Sequence, residues 1–475
     1  MDKELQTTPA DSEGSLETEH GDNPSPDTRK PGRRQKKREE PPDPLTLVCR
    51  TVKHFFPDLN AALNALPDPR IEKRCVYSQS HLIWLGLLIF LEHLGSRRQM
   101  RLERGTDVFV ENFAILCGSP ALKSVADPDT LAYYAEQSDP EAMEGVRAEM
   151  FRRLVRMKAL DSFRIEEYIP VAVDGTQLFT FDHRPWDACC HRKLKNGEIQ
   201  YFTYALDAKV VTPNGMALTI ATEMLTNEGH DEFDKQDCEL KAFPRIAARI
   251  KAAFPRTPFV FLLDGLYASQ NVIRLIERNG WRYIITFKEG SMPERYAESE
   301  TLRKLQLDNR LISKKDRVRQ NFSWTRGLPV AEFSPNVIYC EEKEDGTDRC
   351  TRFVWLTDFN VNSQNVVRLS NNGGRLRWKI ENEGFRVQKK NGYEMEHAYS
   401  RHENGMRIMY ILLTIAHMIS QLVAKGSLIR SLMKTFGSVK NFARRLAESM
   451  RFIPLDADTL GTPCQIRFSG VPAPP

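Results

Sequence analysis

The stretch IPVAVDGT, residues 169–176, decides how this chain is read. It is a short apolar, β-branched run closed by Asp174-Gly175, and it follows a region of different periodicity, which predicts a buried strand. Working outward, FTYALDAKVVT (202–212) predicts a second strand, ended by the turn Pro213-Asn214-Gly215, and MALTIATEML (216–225) a third. Leu240, Phe243, Ile246 and Ile250 then share one helix face, although Pro244 should kink or divide that helix. FVFLLDG (259–265) reads as a fully buried strand and again ends in Asp-Gly. Val272, Ile273, Leu275 and Ile276 predict a helix stopped by Gly280, and WRYIITFK (281–288) a further strand.

The order β-β-β-α-β-α-β is that of a ribonuclease H-like fold, an α/β class with a mixed sheet. Upstream, apolar residues recur at three and four (Leu82, Leu85, Ile89; Val146, Met150, Leu154), which predicts a helical region over 45–165, with a helix start at Asp127-Pro128-Asp129-Thr130. Its Arg97, Arg98, Arg101 and Arg104 suit DNA, although such a run is more often a solvated face. The core is read as 166–290 and 371–425, interrupted over 291–370 by a β-rich insertion in which FVWLTDF (353–359) is the clearest strand. A long apolar helix runs from Met406 to Val423, and 426–475 is read as a helical C-terminal tail. Residues 1–44 are polar and Pro-rich, acidic at first and then basic in RKPGRRQKKR (29–38), too poor in apolar residues to offset ordering entropy. They are expected to form a disordered tail whose basic run could grip phosphates.

At 475 residues, 41% hydrophobic and 28% charged, the chain is too long for one ordinary core and too apolar for wholesale disorder. A net charge of +5 does not by itself announce a nucleic-acid partner. Nine cysteines without a CxxC spacing argue for a reducing compartment. The longest apolar run, Leu82–Leu91, is half of what a membrane span needs, and the first twenty residues lack a signal-peptide core, so an intracellular protein without a membrane is expected.

Asp174 and Asp264 close two predicted core strands, and pairing those strands would bring both carboxylates to one end of the sheet. Converging carboxylates suit a hard divalent cation such as Mg²⁺. A third acid is available in RLRWKIENEGF (375–385). On a regular helix Gly374, Arg377, Glu381 and Gln388 would share a face, with Arg377 one turn before Glu381 and Glu383 on the far side. Arg375, Arg377, Lys379, Arg386, Lys389 and Lys390 make this segment strongly basic, as a surface facing a nucleic-acid backbone would be.

VAVDGT, FLLDGLY and the Arg-Leu-Arg-Trp-Lys-Ile-Glu-Asn block resemble the three catalytic blocks of the DDE transposases of bacterial insertion sequences, in the group with a β-rich insertion before the Glu. The resemblance spans roughly Ile169 to Val423. It implies that Asp174, Asp264 and Glu381 are catalytic and hold two Mg²⁺ ions, with Mn²⁺ able to substitute. It also implies a dimer acting on two DNA ends in the bacterial cytoplasm, on double-stranded terminal inverted repeats and a target. Of the Tyr-Arg-Glu-Lys signature on the third block, Arg377 and Glu381 fit, while the Tyr position falls on Gly374 and the Lys position on Gln388, with Lys389 and Lys390 adjacent.

The chemistry is consistent with this: two metals about 4 Å apart can activate water and stabilise a leaving 3′-oxygen, and the freed 3′-hydroxyl can then attack target DNA in line. The expected function is cut-and-paste transposition. The alternatives are a transposase-derived protein that only binds DNA, and a metal-dependent nuclease that cuts without joining. Cys189, Cys190 and His191 lack zinc-ligand spacing, and with no Gly-Lys pair a Walker-type loop and ATP are not expected. Trp324 and Trp355 could stack on an unpaired base, with a core role favoured for Trp355.

Overall fold

The computed structural model describes residues 43–227, 237–315, 317–347, 349–429 and 436–469; the basic run at 29–38 lies outside them. Among the described residues one sheet carries ten strands: β1 Ile169–Phe181, β2 Cys190–Lys193, β3 Ile199–Val211, β4 Ala217–Met224, β5 Phe259–Leu263, β6 Arg282–Thr286, β7 Arg310–Lys315, β8 Val318–Thr325, β9 Asn336–Glu344 and β10 Cys350–Thr357. β3 runs antiparallel to both β1 and β4, whereas β5 is parallel to β1 and β6 to β5. The spatial order β4-β3-β1-β5-β6 is the ribonuclease H-like arrangement. Every residue of β5 is buried, as its unbroken apolar sequence requires of a central parallel strand.

The structure departs from the sequence reading in two places here. Asp174-Gly175 does not end β1, which continues to Phe181 with a bulge between Gln177 and Thr180, because β3 is long enough to pair with it throughout. Pro244 does not divide its helix, which runs unbroken over Glu239–Ala253. The insertion, for its part, continues the sheet: β10 pairs with the free edge of β6, and β9, β8 and β7 follow, all antiparallel. β2 pairs with the start of β3, on residues 199–202, and β4 with the stretch from Ala205 to Val211.

Helices before and after the sheet pack together. Helix Gln79–Leu91, capped by Ser78 accepting from the His81 N–H, is buried along its whole length. Helix Pro128–Gln137 starts at Asp127, which accepts from the Asp129 N–H. Both lie against helix Glu403–Lys425, which also contacts helix Pro140–Arg156 and β4. A Cβ on Gly86 would stand 2.6 Å from Leu412 Cδ1, so the first of these contacts depends on a glycine. Glu403–Lys425 is long and apolar enough to cross a membrane, but 83% of its apolar window is buried inside the protein, where it forms the core helix.

Candidate active site

β1 and β5 pair in parallel with Ile169 opposite Phe259 and Ala172 opposite Leu262. The same offset carried two residues further sets Asp174 beside Asp264. Asp264 opens the 3-10 turn Gly265–Tyr267, its Oδ1 accepting the Leu266 N–H at 2.9 Å. Asp174 Oδ1 accepts its neighbour Gly175 N–H at 3.0 Å, and its Oδ2 accepts from Arg377 Nη1 at 3.2 Å. Burial pushes the Asp174 carboxyl up to about 6; Arg377 opposes the shift, and the acids Glu239 and Asp264 reinforce it. An acid held under this repulsion by neighbouring carboxylates favours a bound cation when it ionises.

Sequence reasoning missed Glu239, the first residue of the helix after β4. Its Oε1 accepts from Tyr204 Oη at 2.6 Å and its Oε2 from Tyr267 Oη at 3.1 Å, tying β3 to the turn that follows Asp264. Burial and the Glu239 carboxylate push both phenols well above their ordinary range. Gly175 makes this possible, because a Cβ there would stand 2.4 Å from Tyr204 and 2.5 Å from Glu239. The available signal was Tyr267, three residues after Asp264.

The third block is not the regular helix assumed from the sequence. A 3-10 segment, Gly374–Trp378, passes into a π turn, Ile380–Phe385, and then into the α-helix Arg386–Lys390. With 3.0, more than 3.6 and then 3.6 residues per turn, the expected common face breaks up. Gly374 is buried against Trp355, where a Cβ would lie 2.3 Å from the indole, so a tyrosine has no room there. Arg377 reaches Asp174, Glu381 is exposed and its side chain makes no hydrogen bond or ion pair among the described residues, and Gln388 is fully buried. Glu383 points elsewhere, paired with Lys379 at 2.9 Å and close to Gly215.

The other basic positions are engaged to different degrees. Arg375 pairs with Glu342 over the Phe353 ring, Lys389 and Lys390 lie 3.5 and 2.9 Å from Glu396, and Arg386 is exposed. Trp324 and Trp355 are both buried, and the tryptophan that faces solvent at this site is Trp378, 57% exposed and 5.5 Å from the Arg377 guanidinium. Asp174 and Asp264 offer the oxygen donors that a hard divalent cation needs, but among the described residues no three His, Cys, Asp or Glu side chains converge to hold a metal.

A ribonuclease H-like sheet with one aspartate on β1 and a second just past the end of the neighbouring parallel strand β5 defines a class of nucleic-acid-processing proteins. The family model described as transposase DDE domain matches residues 170–419, more than half of the chain and all three blocks, and the chain belongs to that family of insertion-sequence transposases. No curated protein matches it.

Proposed function

We propose that this transposase binds the terminal inverted repeats of its own insertion sequence, cuts the DNA there with Mg²⁺, and joins the freed ends to a target. The observation that carries the reading is the β1–β5 register, which sets Asp174 beside Asp264 while the third block delivers Arg377 onto Asp174. Asp174, Asp264 and an inward-turned Glu381 would hold two ions, Mn²⁺ being able to replace Mg²⁺. Such ions supply activated water and stabilise charge on the leaving 3′-oxygen. Arg377, only 15% exposed at its side chain, pairs with Asp174 and stands ready for a phosphate. Arg386, Lys389 and Lys390, with Arg375 and Lys379 nearby, offer the backbone a basic flank. A dimer on paired DNA ends in the bacterial cytoplasm fits this chemistry. The N-terminal helical region, 45–165, is assigned to recognition of the repeats.

The test uses DNA carrying the repeats that flank the gene, with Mg²⁺ or Mn²⁺. Wild type is expected to release 3′-hydroxyl ends and join them to a second DNA, while Asp174→Ala, Asp264→Ala and Glu381→Ala bind the repeats and leave them uncut. Cleavage surviving any one of these would refute the assignment. One observation favours a second reading, a protein that only binds DNA: Glu381 is exposed and apart from both aspartates. Wild-type binding without nicks at any metal concentration would select it.

A further inference from the structure

A second set of charged side chains lies directly beneath the third block. Lys209 and Asp207 on β3, and Arg147 on helix Pro140–Arg156, are wholly buried. Lys209 Nζ donates to Asp207 Oδ2 at 2.6 Å, to Thr219 Oγ1 at 2.7 Å and to Gln388 Oε1 at 3.3 Å. Asp207 also accepts from Tyr410 Oη at 2.8 Å and from Thr222 Oγ1 at 2.7 Å. Arg147 pairs with Glu144 and donates to Thr222 and Thr414. On its other side Lys209 meets the third block: its ammonium lies 4.7 Å from the Phe385 ring centroid, and its stem stands 3.0 Å from where a Cβ on Gly384 would be. One side chain thus touches Gly384, Phe385 and Gln388, all in the two turns that follow Glu381.

Burying an ion pair gains little stability, since apolar residues of the same volume do as well or better; where such pairs persist, their best-attested use is to fix one geometry among several. Here the geometry at stake is a π turn, a form that needs outside support and recurs at functional sites. Asp207 is moreover the direct cross-strand partner of Asp174. The network therefore references the third block to the very position on the sheet that carries the first acid.

We propose that Lys209, held by Asp207, is a positioning residue that locks the turn Ile380–Phe385 over β1 and β3, and so sets where Glu381 can meet Asp174 and Asp264. The proposal rests on the three-acid reading above. Two variants test it: Gln388→Met, which removes the hydrogen bond from Lys209, together with the Gln388–His417 bond, and leaves the ion pair and the Phe385 contact whole, and Lys209→Met combined with Asp207→Asn, which removes the pair. Hydrogen exchange of the full chain should show amides 380–390 at least about tenfold less protected, with β5 and β6 unchanged. Mn²⁺ affinity, read by electron paramagnetic resonance of the free ion, should weaken roughly tenfold, as when a supporting shell is lost, while binding to repeat DNA holds. Wild-type protection and Mn²⁺ affinity in the folded variants overturn the proposal; if the double variant does not fold, Gln388→Met alone decides. Glu381→Gln is the control. Wild-type Mn²⁺ affinity in that control overturns the three-acid reading and the functional half of the proposal with it, whereas lost affinity there and none lost at Lys209 and Gln388 overturns the proposal alone.

Discussion

Glu92, just past helix Gln79–Leu91, is buried, and neither carboxyl oxygen has a hydrogen-bond partner among the described residues. Burial, reinforced by Glu103 and opposed by Arg451, pushes it up from 4.5 to about 8. Between those values the folded state holds a proton that the unfolded chain has released, so stability is greatest below the lower one and falls as pH rises to the upper. Glu92→Gln should therefore melt with wild type at pH 4 and roughly 5 °C above it at pH 8, by calorimetry, and coinciding curves at pH 8 would show the burial to be wrong. Gly374→Ala should destabilise by about 1–3 kcal/mol in denaturant titration, because its methyl meets the Trp355 indole, and Trp355→Leu should recover part of the loss. At this scale the sequence was partly legible. Asp174 and Asp264 stood out because an acid interrupts an apolar run. Glu239 did not, since a glutamate opening a helix is ordinary. Lys209 sat in plain view within FTYALDAKVVT, two residues from Asp207 on the same face of a buried strand, and that spacing of opposite charges was its signal.

The strands of the core were legible because burial on both faces leaves a continuous apolar record; the third block was not, because its periodicity changes twice within seventeen residues, from Gly374 to Lys390. A single period of 3.6 puts Glu381 and Gln388 on one side, whereas in the folded chain one faces solvent and the other the core. On the proposed function, the DNA-facing charge of this element would fall to Arg386 and its neighbours. Arg386→Ala with Lys390→Ala should weaken binding to any duplex about tenfold and lower the slope of log affinity against log salt by about two, with an unchanged melting temperature. An unchanged slope would place the backbone contacts elsewhere.

At the scale of the fold, helix Glu403–Lys425 joins the N-terminal helices to the sheet, so their buried residues form one core. A fragment ending at residue 165 should expose the faces that this helix covers and bind a hydrophobic dye, whereas the full chain should melt in one transition. The segment 291–370, read as a β-rich insertion, contributes helix Pro293–Leu305 and four strands that continue the sheet from β6. Its attachment point has a further meaning. Because β10 adds on the side of β6 turned away from β5, the polypeptide can lengthen, shorten or exchange this arm and the spacing of the two aspartates, set by a single strand-to-strand step, stays as it was. The outermost strands, β7 and β8, are thus free to diversify while the step between Asp174 and Asp264 is held constant; β9 and β10, which seat the third block through Glu342 and Trp355, are not.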